Sequence, residues 1–178
     1  PSVLRHFCTK LQPVSGYGGI GVIESWDTYI SSKLEPYVYH WAMRFPGLEA
    51  DYPCSHVVWL RKGREGGKEG IKGVNWLTVI GDDLLAELGG ADVVTARLAE
   101  LDARFIVHRY EGGVLIQAGE RPVLGDAARG SWPELYVKLS KFLKPIRISK
   151  HGWFGYDGPG ERFTLERSEA WLRRFDDR

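Results

Sequence analysis

Two segments near the amino terminus repeat apolar residues at helical spacing. The first ends where Pro13 cannot continue a helix, and the second begins at Asp27. Because proline lacks a backbone N–H, we expect Pro36 to break or kink the second helix. The second segment carries a broad apolar face. The apolar positions are Val3, Leu4, Phe7 and Leu11 in the first segment and Tyr29, Ile30, Leu34, Tyr37, Val38, Trp41, Ala42 and Phe45 in the second.

After residue 103 the apolar residues change to a two-residue period, which is typical of a half-buried strand. This alternation runs from Arg104 to Tyr110, the sequence Glu111-Gly112-Gly113 supplies a tight turn, and Val114 to Ala118 forms a partner strand. The pattern predicts a β-hairpin. In this strand we expect His108 to be a sheet residue with a local partner.

A later helix is predicted from Leu135 to Leu143, opened by a capping box in which Ser131 and Glu134 bond the first free backbone N–H groups. We expect this helix and the hairpin to form the core. Helices and strands mix without a strict βαβ rhythm, so the fold class is α+β. The prediction is a mixed or antiparallel sheet flanked by helices, in one domain that spans residues 1–178.

One segment, residues 61–70, has no apolar side chain to anchor it. Its sequence RKGREGGKEG consists of four glycines and six charged residues. Such a composition predicts a flexible, solvated loop, at a hairpin tip or in a crossover between elements. The alternative is a charged loop that docks a partner.

Composition places the chain among ordinary globular proteins, with 43% hydrophobic and 26% charged residues. Lysine and arginine total 24 against 23 acidic residues, so the net charge predicts no direct nucleic-acid or membrane partner. Cys8 and Cys54 show no metal-ligand or disulfide spacing, which favours a reducing compartment. The first residues contain neither an initiator Met nor a signal peptide, and we expect an upstream segment of the same protein.

Candidate chemistry is sparse. The run GYGGIG lacks the Lys-Ser/Thr of a phosphate loop and precedes a strand, so it is better explained as backbone that passes close to another segment. The five histidines have no metal-ligand spacing. We therefore expect no cofactor, no metal and no catalytic residue. The alternative is a small hydrolase that uses Asp82, His108 and Asp126, although capping and turn roles already explain the two aspartates.

Aromatic residues are abundant, with seven tryptophans and eight tyrosines. We expect Trp76, Trp132 and Trp171, which lie in regular elements, to belong to the core. A separate group lies in the glycine-rich run HGWFGYDGPG, where no periodicity indicates burial. That group consists of Trp153, Phe154 and Tyr156. It is either a set of partner contacts or loop packing.

The stretch from Ile71 to Ile148 resembles the TsiV-type family of type VI secretion immunity proteins. The first matching piece is VNWLTVIGDDLLAELGG, a strand followed by a leucine-rich helix. The most specific piece is GGVLIQAGERPVLGDAARGSWPELYVKLSKFLKPIR, with a weaker match upstream in AMRFPGLEAD. The chain is similar to the carboxy-terminal portion of a family pattern that is longer at the amino end.

The resemblance implies a cytoplasmic bacterial antitoxin that binds and neutralises a cognate effector toxin by stoichiometric occlusion, with a nuclease as one candidate for the toxin. It implies no enzyme activity and no cofactor. The residues that we expect to contact the toxin are Trp153, Phe154, Tyr156, Asp126 and Arg129. Two alternatives remain, the hydrolase described above and a structural half of a split domain.

Overall fold

The computed structural model describes residues 2–22, 28–50, 60–154 and 160–178. Asp27, Cys54 and Tyr156 lie outside these ranges. The helices are α1 (Ser2–Leu11), α2 (Thr28–Arg44), α3 (Asp82–Glu87), α4 (Ala91–Leu101), α5 (Glu134–Phe142) and α6 (Leu165–Leu172). The strands are β1 (Ser15–Gly18), β2 (Leu77–Gly81), β3 (Phe105–Tyr110) and β4 (Gly113–Ala118). Single 3-10 turns occur at Glu65–Gly67, Ala127–Arg129 and Lys144–Ile146.

The four described strands form one antiparallel sheet in the order β1-β2-β4-β3. The predicted hairpin is confirmed, since Phe105 pairs with Ala118 and Tyr110 with Gly113 across the ladder. Helices cover the sheet, so the α+β prediction is confirmed as well. None of the helices in the described ranges is long and apolar enough to cross a bilayer.

The two faces of the sheet bury different sets of side chains, as the two-residue period requires. On one face Ile80, Val114 and Ile116 pack with α3, α4 and α5 in the main core, which includes the fully buried Leu139. On the other face Val79 and Leu115 pack under α1. Cys8 of α1 is buried there, and burial raises the pKa of its thiol.

A third apolar cluster joins α2 to the carboxy-terminal segment. Val38, Tyr39 and Ala42 of α2 pack against Phe163 and Trp171. The three predicted core tryptophans differ in depth, because Trp171 is buried whereas Trp76 and Trp132 are partly buried against the main core. This cluster fixes the position of α2 relative to the end of the chain.

Buried ion pairs supply further links between distant segments. Glu35, which has no exposed surface, accepts hydrogen bonds from Arg162 Nη1 at 3.1 Å and from the backbone N–H of Phe163 at 2.8 Å. Lys72 Nζ donates to Glu49 Oε1 at 2.5 Å. Buried charges persist where each has such partners. The bonds of Glu35 and the third cluster hold α2 in one place.

One local prediction is wrong in part and another is wrong. The predicted break at Pro36 does not occur, because the buried inner face of α2 and the Glu35–Arg162 ion pair outweigh the hydrogen bond that proline removes. The predicted kink at Pro36 stays a prediction. The capping box at Ser131 does not form. The helix begins at Glu134 after Pro133, and the Glu134 carboxylate pairs with Arg104 and Lys138 instead. Those two cations compete for the carboxylate that a capping box would use.

The glycine run after α1 has a steric role. A Cβ on Gly19 would overlap the side-chain amide of Asn75, so only glycine permits this close approach. The predicted explanation of the run, backbone passing another segment, is confirmed at this position.

The segment 61–70 is anchored by polar groups. The Gly63 carbonyl accepts hydrogen bonds from the backbone N–H groups of Ser149 at 2.8 Å and Lys150 at 3.1 Å. The Arg64 guanidinium forms a two-pronged ion pair with Glu87, with N–O distances of 2.8 and 2.6 Å. The flexibility of residues 61–70 stays a prediction. The segment has no apolar anchor, but these hydrogen bonds and this ion pair attach it to the rest of the fold.

Candidate functional site

The expected toxin-contact residues fall into two separate places. One is the stretch before residue 155, which contains Trp153 and Phe154, and the other is the turn that carries Asp126 and Arg129. Tyr156, the fifth expected contact, lies outside the described residues.

Phe154 belongs to the core and not to a contact surface. Its side chain is 2% exposed and its ring lies edge-on to Phe163 and Trp171, with centroids 5.5 and 5.6 Å away. The backbone N–H of Phe154 donates to Ser168 Oγ at 3.1 Å. A partner could not reach this ring without opening the third cluster, so we remove it from the contact set.

Trp153 faces the surface and keeps 38% of its area exposed. Its indole N–H donates to the backbone carbonyl of Phe163. This bond fixes the ring, and a fixed aromatic ring loses little conformational entropy when a partner covers it. Trp153 therefore has the properties of an interface anchor.

The turn from Gly125 to Ser131 is closed by its own hydrogen bonds. Gly125 has a φ of +69°, in the left-handed region that favours glycine. The Asp126 backbone N–H donates to the Ser131 carbonyl at 2.8 Å, and the Ser131 N–H donates to the Asp126 carbonyl at 3.0 Å. Asp126 Oδ1 also accepts from the Ala128 N–H at 3.1 Å. The predicted turn role of Asp126 is confirmed.

Asp126 also connects this turn to α2. Arg44 Nη2 donates to Asp126 Oδ2 at 3.1 Å, and this bond lowers the pKa of the Asp126 carboxyl. Arg129 Nε lies 3.7 Å from the same oxygen, while 80% of the Arg129 side chain stays exposed. The result is an exposed guanidinium on a backbone that cannot easily move.

A groove of about 450 Å³ adjoins this turn, between the end of α2 and the carboxy terminus. Its walls include Met43 and Trp132, and two arginines close it. The Arg174 guanidinium stacks on Trp171 at 3.5 Å from the ring centroid, and Arg178 stacks on Trp132 at 4.0 Å. Burial lowers the pKa of Arg174 to about 10, which leaves it charged at neutral pH. An aromatic, basic groove of this kind can accept an acidic or apolar side chain.

The three residues of the hydrolase alternative have separate partners. Asp82 lines a pocket with Gln12 and Gly112 that includes neither of the other two. His108 lies in β3 with Nε2 3.3 Å from Gln117 Oε1, so its predicted local partner is confirmed. Asp126 is bound to Arg44, as described above. The structure does not assemble these three groups into one site.

Metal-ligand geometry is likewise not found among the described residues, which contain no group of three or more His, Cys, Asp or Glu side chains arranged around a common point.

Sequence reasoning missed two features of this region. The outer side of α2 exposes large apolar residues, although the pattern predicted only a broad apolar face. The predicted apolar face of α2 was wider than a helix needs in order to pack against the core on one side. This width was the sequence signal that some of its apolar residues would be exposed. The stacking of Arg174 and Arg178 had no comparable signal, because charged residues at a chain end are usually solvated.

Comparison with known protein families gives a match along almost the whole chain. The matching model is TsiV, described as type VI immunity for VRR-NUC, and it covers residues 1–175. The chain therefore belongs to the TsiV family of type VI immunity proteins.

Among solved structures, the chain is similar to a Pseudomonas aeruginosa type VI secretion protein, PA0821, with 30% sequence identity and a TM-score of 0.84. The alignment covers 98% of this chain and 46% of that one. The chain thus spans about half the length of this relative. A comparison with curated proteins finds no match.

Proposed function

We propose that this protein neutralises a type VI effector of the VRR-NUC nuclease class by binding it one to one in the cytoplasm of the producing cell. It blocks the effector by covering it, without catalytic turnover and without a cofactor. Family membership carries this proposal, because the matching model is described as immunity for VRR-NUC along residues 1–175.

The surface of the protein supports a binding role. Trp153 is an aromatic side chain held by a hydrogen bond, and Arg129 is an arginine held by a closed turn. Tryptophan and arginine are the residue types that most often dominate interface energy. Stable complexes bury roughly 1,200–2,000 Å² in total, so the contact must extend beyond these two side chains to the groove beside the turn.

The decisive experiment distinguishes occlusion from enzymatic inactivation by stoichiometry. The VRR-NUC effector of the same strain is titrated with this protein, and DNA cleavage is followed. Occlusion predicts that cleavage falls linearly and ends at one equivalent. Loss of cleavage that continues with time below one equivalent would indicate turnover, and would favour the hydrolase alternative with Asp82, His108 and Asp126.

The contact residues are tested by calorimetric titration against the inactive effector. Arg129→Ala should weaken binding mainly by slowing association, because an exposed charge at the edge of an interface steers encounter more than it holds the complex. Arg109→Ala is the matched control, since Arg109 is also exposed and paired with an aspartate, but lies on β3. Equal effects of the two substitutions would exclude the Arg129 turn from the interface.

A further inference from the structure

One guanidinium in the groove beside the Asp126 turn is only partly used by the fold. Arg174 Nε donates to the Pro46 carbonyl at 2.7 Å, and Arg174 Nη1 donates to the Trp171 carbonyl at 3.1 Å. The third nitrogen, Nη2, bonds to no residue in the described ranges, and it is not sealed from solvent. Because Arg174 lines the groove, this accessible nitrogen is a hydrogen-bond donor for whatever enters there.

The charge of Arg174 is also not paired by a side-chain carboxylate of the described part of the chain. Burial lowers its pKa to about 10, and Glu49 offsets this only from a distance, since the Glu49 oxygens bond to Lys72 and Asn75. Asp126, in the neighbouring turn, is bonded to α2. A cation that is withdrawn from water without an opposite charge is in an unfavourable state, which an anionic partner relieves.

The walls of the groove are apolar and mostly small. They include Ala42, Met43, Ala127, Trp132 and Ala170, and none of the described residues that line the groove is acidic. Small side chains leave room for a side chain that enters from a partner. The groove therefore combines apolar walls with a positive charge that lacks a carboxylate.

We infer that this groove binds the carboxylate of an aspartate or glutamate side chain of the effector, with Arg174 Nη2 as the donor. This inference rests on the proposed function. The apolar walls contact the CH₂ groups of the entering side chain, and its carboxylate gives the guanidinium the partner that it lacks. Hydrogen bonds between a guanidinium and a carboxylate are among the strong ones in proteins.

Other occupants fit the groove less well. An apolar side chain would cover Nη2 and remove its water without replacing the lost hydrogen bond. A nucleic-acid strand is bound by a row of cations, because its charges repeat along the backbone. The groove offers only Arg174 and Arg178, and the net charge of the whole chain is +1. A single carboxylate matches this supply of charge.

The groove is continuous with the expected contact residue Arg129. Ala127 and Gly130, on either side of Arg129 in the same turn, line the groove. One partner can therefore contact both arginines, but their roles differ. The exposed Arg129 should govern association, whereas loss of a partly buried charge pair at Arg174 should act on dissociation.

The first test measures association and dissociation of the inactive VRR-NUC effector. Arg174→Gln should weaken binding at least about thirtyfold, mainly through faster dissociation, because it leaves the partner carboxylate unpaired. Arg173→Gln is the matched control, since the adjacent Arg173 is 52% exposed and lies 3.8 Å from Glu169, and it should bind like wild type. A folded Arg174→Gln that binds like wild type would overturn the inference.

A second pair of variants leaves Arg174 in place. Ala170 lines the groove and precedes Arg174 by four residues, a spacing at which an acidic and a basic side chain can pair. Ala170→Glu therefore supplies a carboxylate from within the chain, and Ala170→Gln adds nearly the same volume without the charge. Ala170→Glu should weaken binding about tenfold more than Ala170→Gln, because its carboxylate occupies Arg174 and repels that of the partner. Equal effects of these two substitutions would overturn the inference, even if Arg174→Gln failed to fold.

The partner carboxylate is identified on the effector itself. Each surface aspartate and glutamate of the inactive effector is changed to its amide. One of these changes should weaken binding to wild type and add no further loss to Arg174→Gln, since residues in direct contact are energetically coupled. Losses that add fully for every effector variant would contradict the proposed pair.

The outcomes separate the two proposals. If wild-type protein does not bind the effector, the proposed function fails, and the groove inference fails with it. If wild-type protein binds and both Arg174→Gln and Ala170→Glu bind equally well, the proposed function stands and the groove inference fails. Binding of duplex DNA, or a wild-type dimer in sedimentation experiments, that Arg174→Gln abolishes would assign the groove to phosphate or to a second copy. Either result overturns the inference.

Discussion

Two regions with expected toxin contacts present their side chains in opposite ways. One is the segment with Trp153 and Phe154, and the other is the turn with Asp126 and Arg129. In the first, two adjacent aromatic residues diverge, so that Phe154 fills the core while Trp153 stays at the surface. In the second, backbone hydrogen bonds close the turn and direct its charged side chain outward. The first segment is held in place by the buried ring of Phe154, and the second by the hydrogen bonds within the turn.

This difference has a consequence for mutation. A substitution in the first segment affects folding in proportion to the apolar area that it removes, whereas one at Arg129 leaves the bonds of the turn intact. In the first segment the two effects should therefore fall on adjacent residues, with stability depending on Phe154 and binding on Trp153, whereas Arg129 in the second should affect binding alone.

The largest effect is expected at Phe154. Phe154→Ala should lower the free energy of unfolding by about 3–5 kcal/mol, because the ring is buried among Phe163, Trp171 and His151 and leaves a cavity. Chemical denaturation measures this directly. Phe154→Leu, which keeps most of the volume, should lose much less. Unchanged stability of Phe154→Ala would show that the ring is not a core residue.

A smaller and different effect is expected at Trp153. Trp153→Ala should weaken effector binding by at least about 2 kcal/mol, roughly thirtyfold, if the ring anchors the complex. Trp153→Phe keeps an aromatic surface but cannot donate to the Phe163 carbonyl, so it separates contact area from the hydrogen bond. Full affinity of Trp153→Ala would exclude the anchor role. Equal losses of stability and binding would assign this ring to the core with Phe154.

Much of the fold could be predicted from local pattern. The hairpin was predictable because a two-residue apolar period and a Glu-Gly-Gly turn both specify it, and α5 because its apolar residues repeat at helical spacing. The Asp126 turn was predictable from a glycine followed by an aspartate that bonds its own backbone. In each case the interactions that decide the structure are close in sequence.

The rest depends on contacts between distant residues. The apolar pattern of α2 could not show that Val38 and Ala42 would face the third cluster while Leu34 and Trp41 face outward, because all four are apolar. Nothing local distinguishes Trp153 from Phe154. Ser131 and Glu134 matched a capping box, yet the Glu134 carboxylate pairs with Arg104 from a distant segment, as well as with Lys138 one turn along its own helix. A local structural preference is overridden where an interaction with a distant residue is stronger.

The segment 61–70 extends the contrast to a third region, where polar groups of the backbone and of Arg64, and not apolar burial, provide the anchors. Arg64→Ala should lower stability by about 1 kcal/mol or less, because its two-pronged pair with Glu87 is partly solvated. A Gly-Ser replacement of residues 65–69 that keeps Arg64 should leave the melting temperature within a few degrees. A greater loss from this replacement than from Arg64→Ala would show that the interior of the loop is packed.

The smallest effect concerns the acid sensitivity of the turn. Arg44 holds the pKa of Asp126 below its ordinary value, so folding favours the ionised carboxylate. Its contribution to stability is complete above the ordinary aspartate pKa of about 4 and is lost as the pH falls through the lower folded pKa. Asp126→Asn should therefore be slightly less stable than wild type at pH 7, and the difference between the two melting temperatures should narrow as the pH falls below about 4. Asp92→Asn is the control, because Asp92 is almost fully exposed outside the turn. A difference between Asp126→Asn and wild type that does not narrow as the pH falls below about 4 would show that the carboxylate charge does not hold the turn to α2.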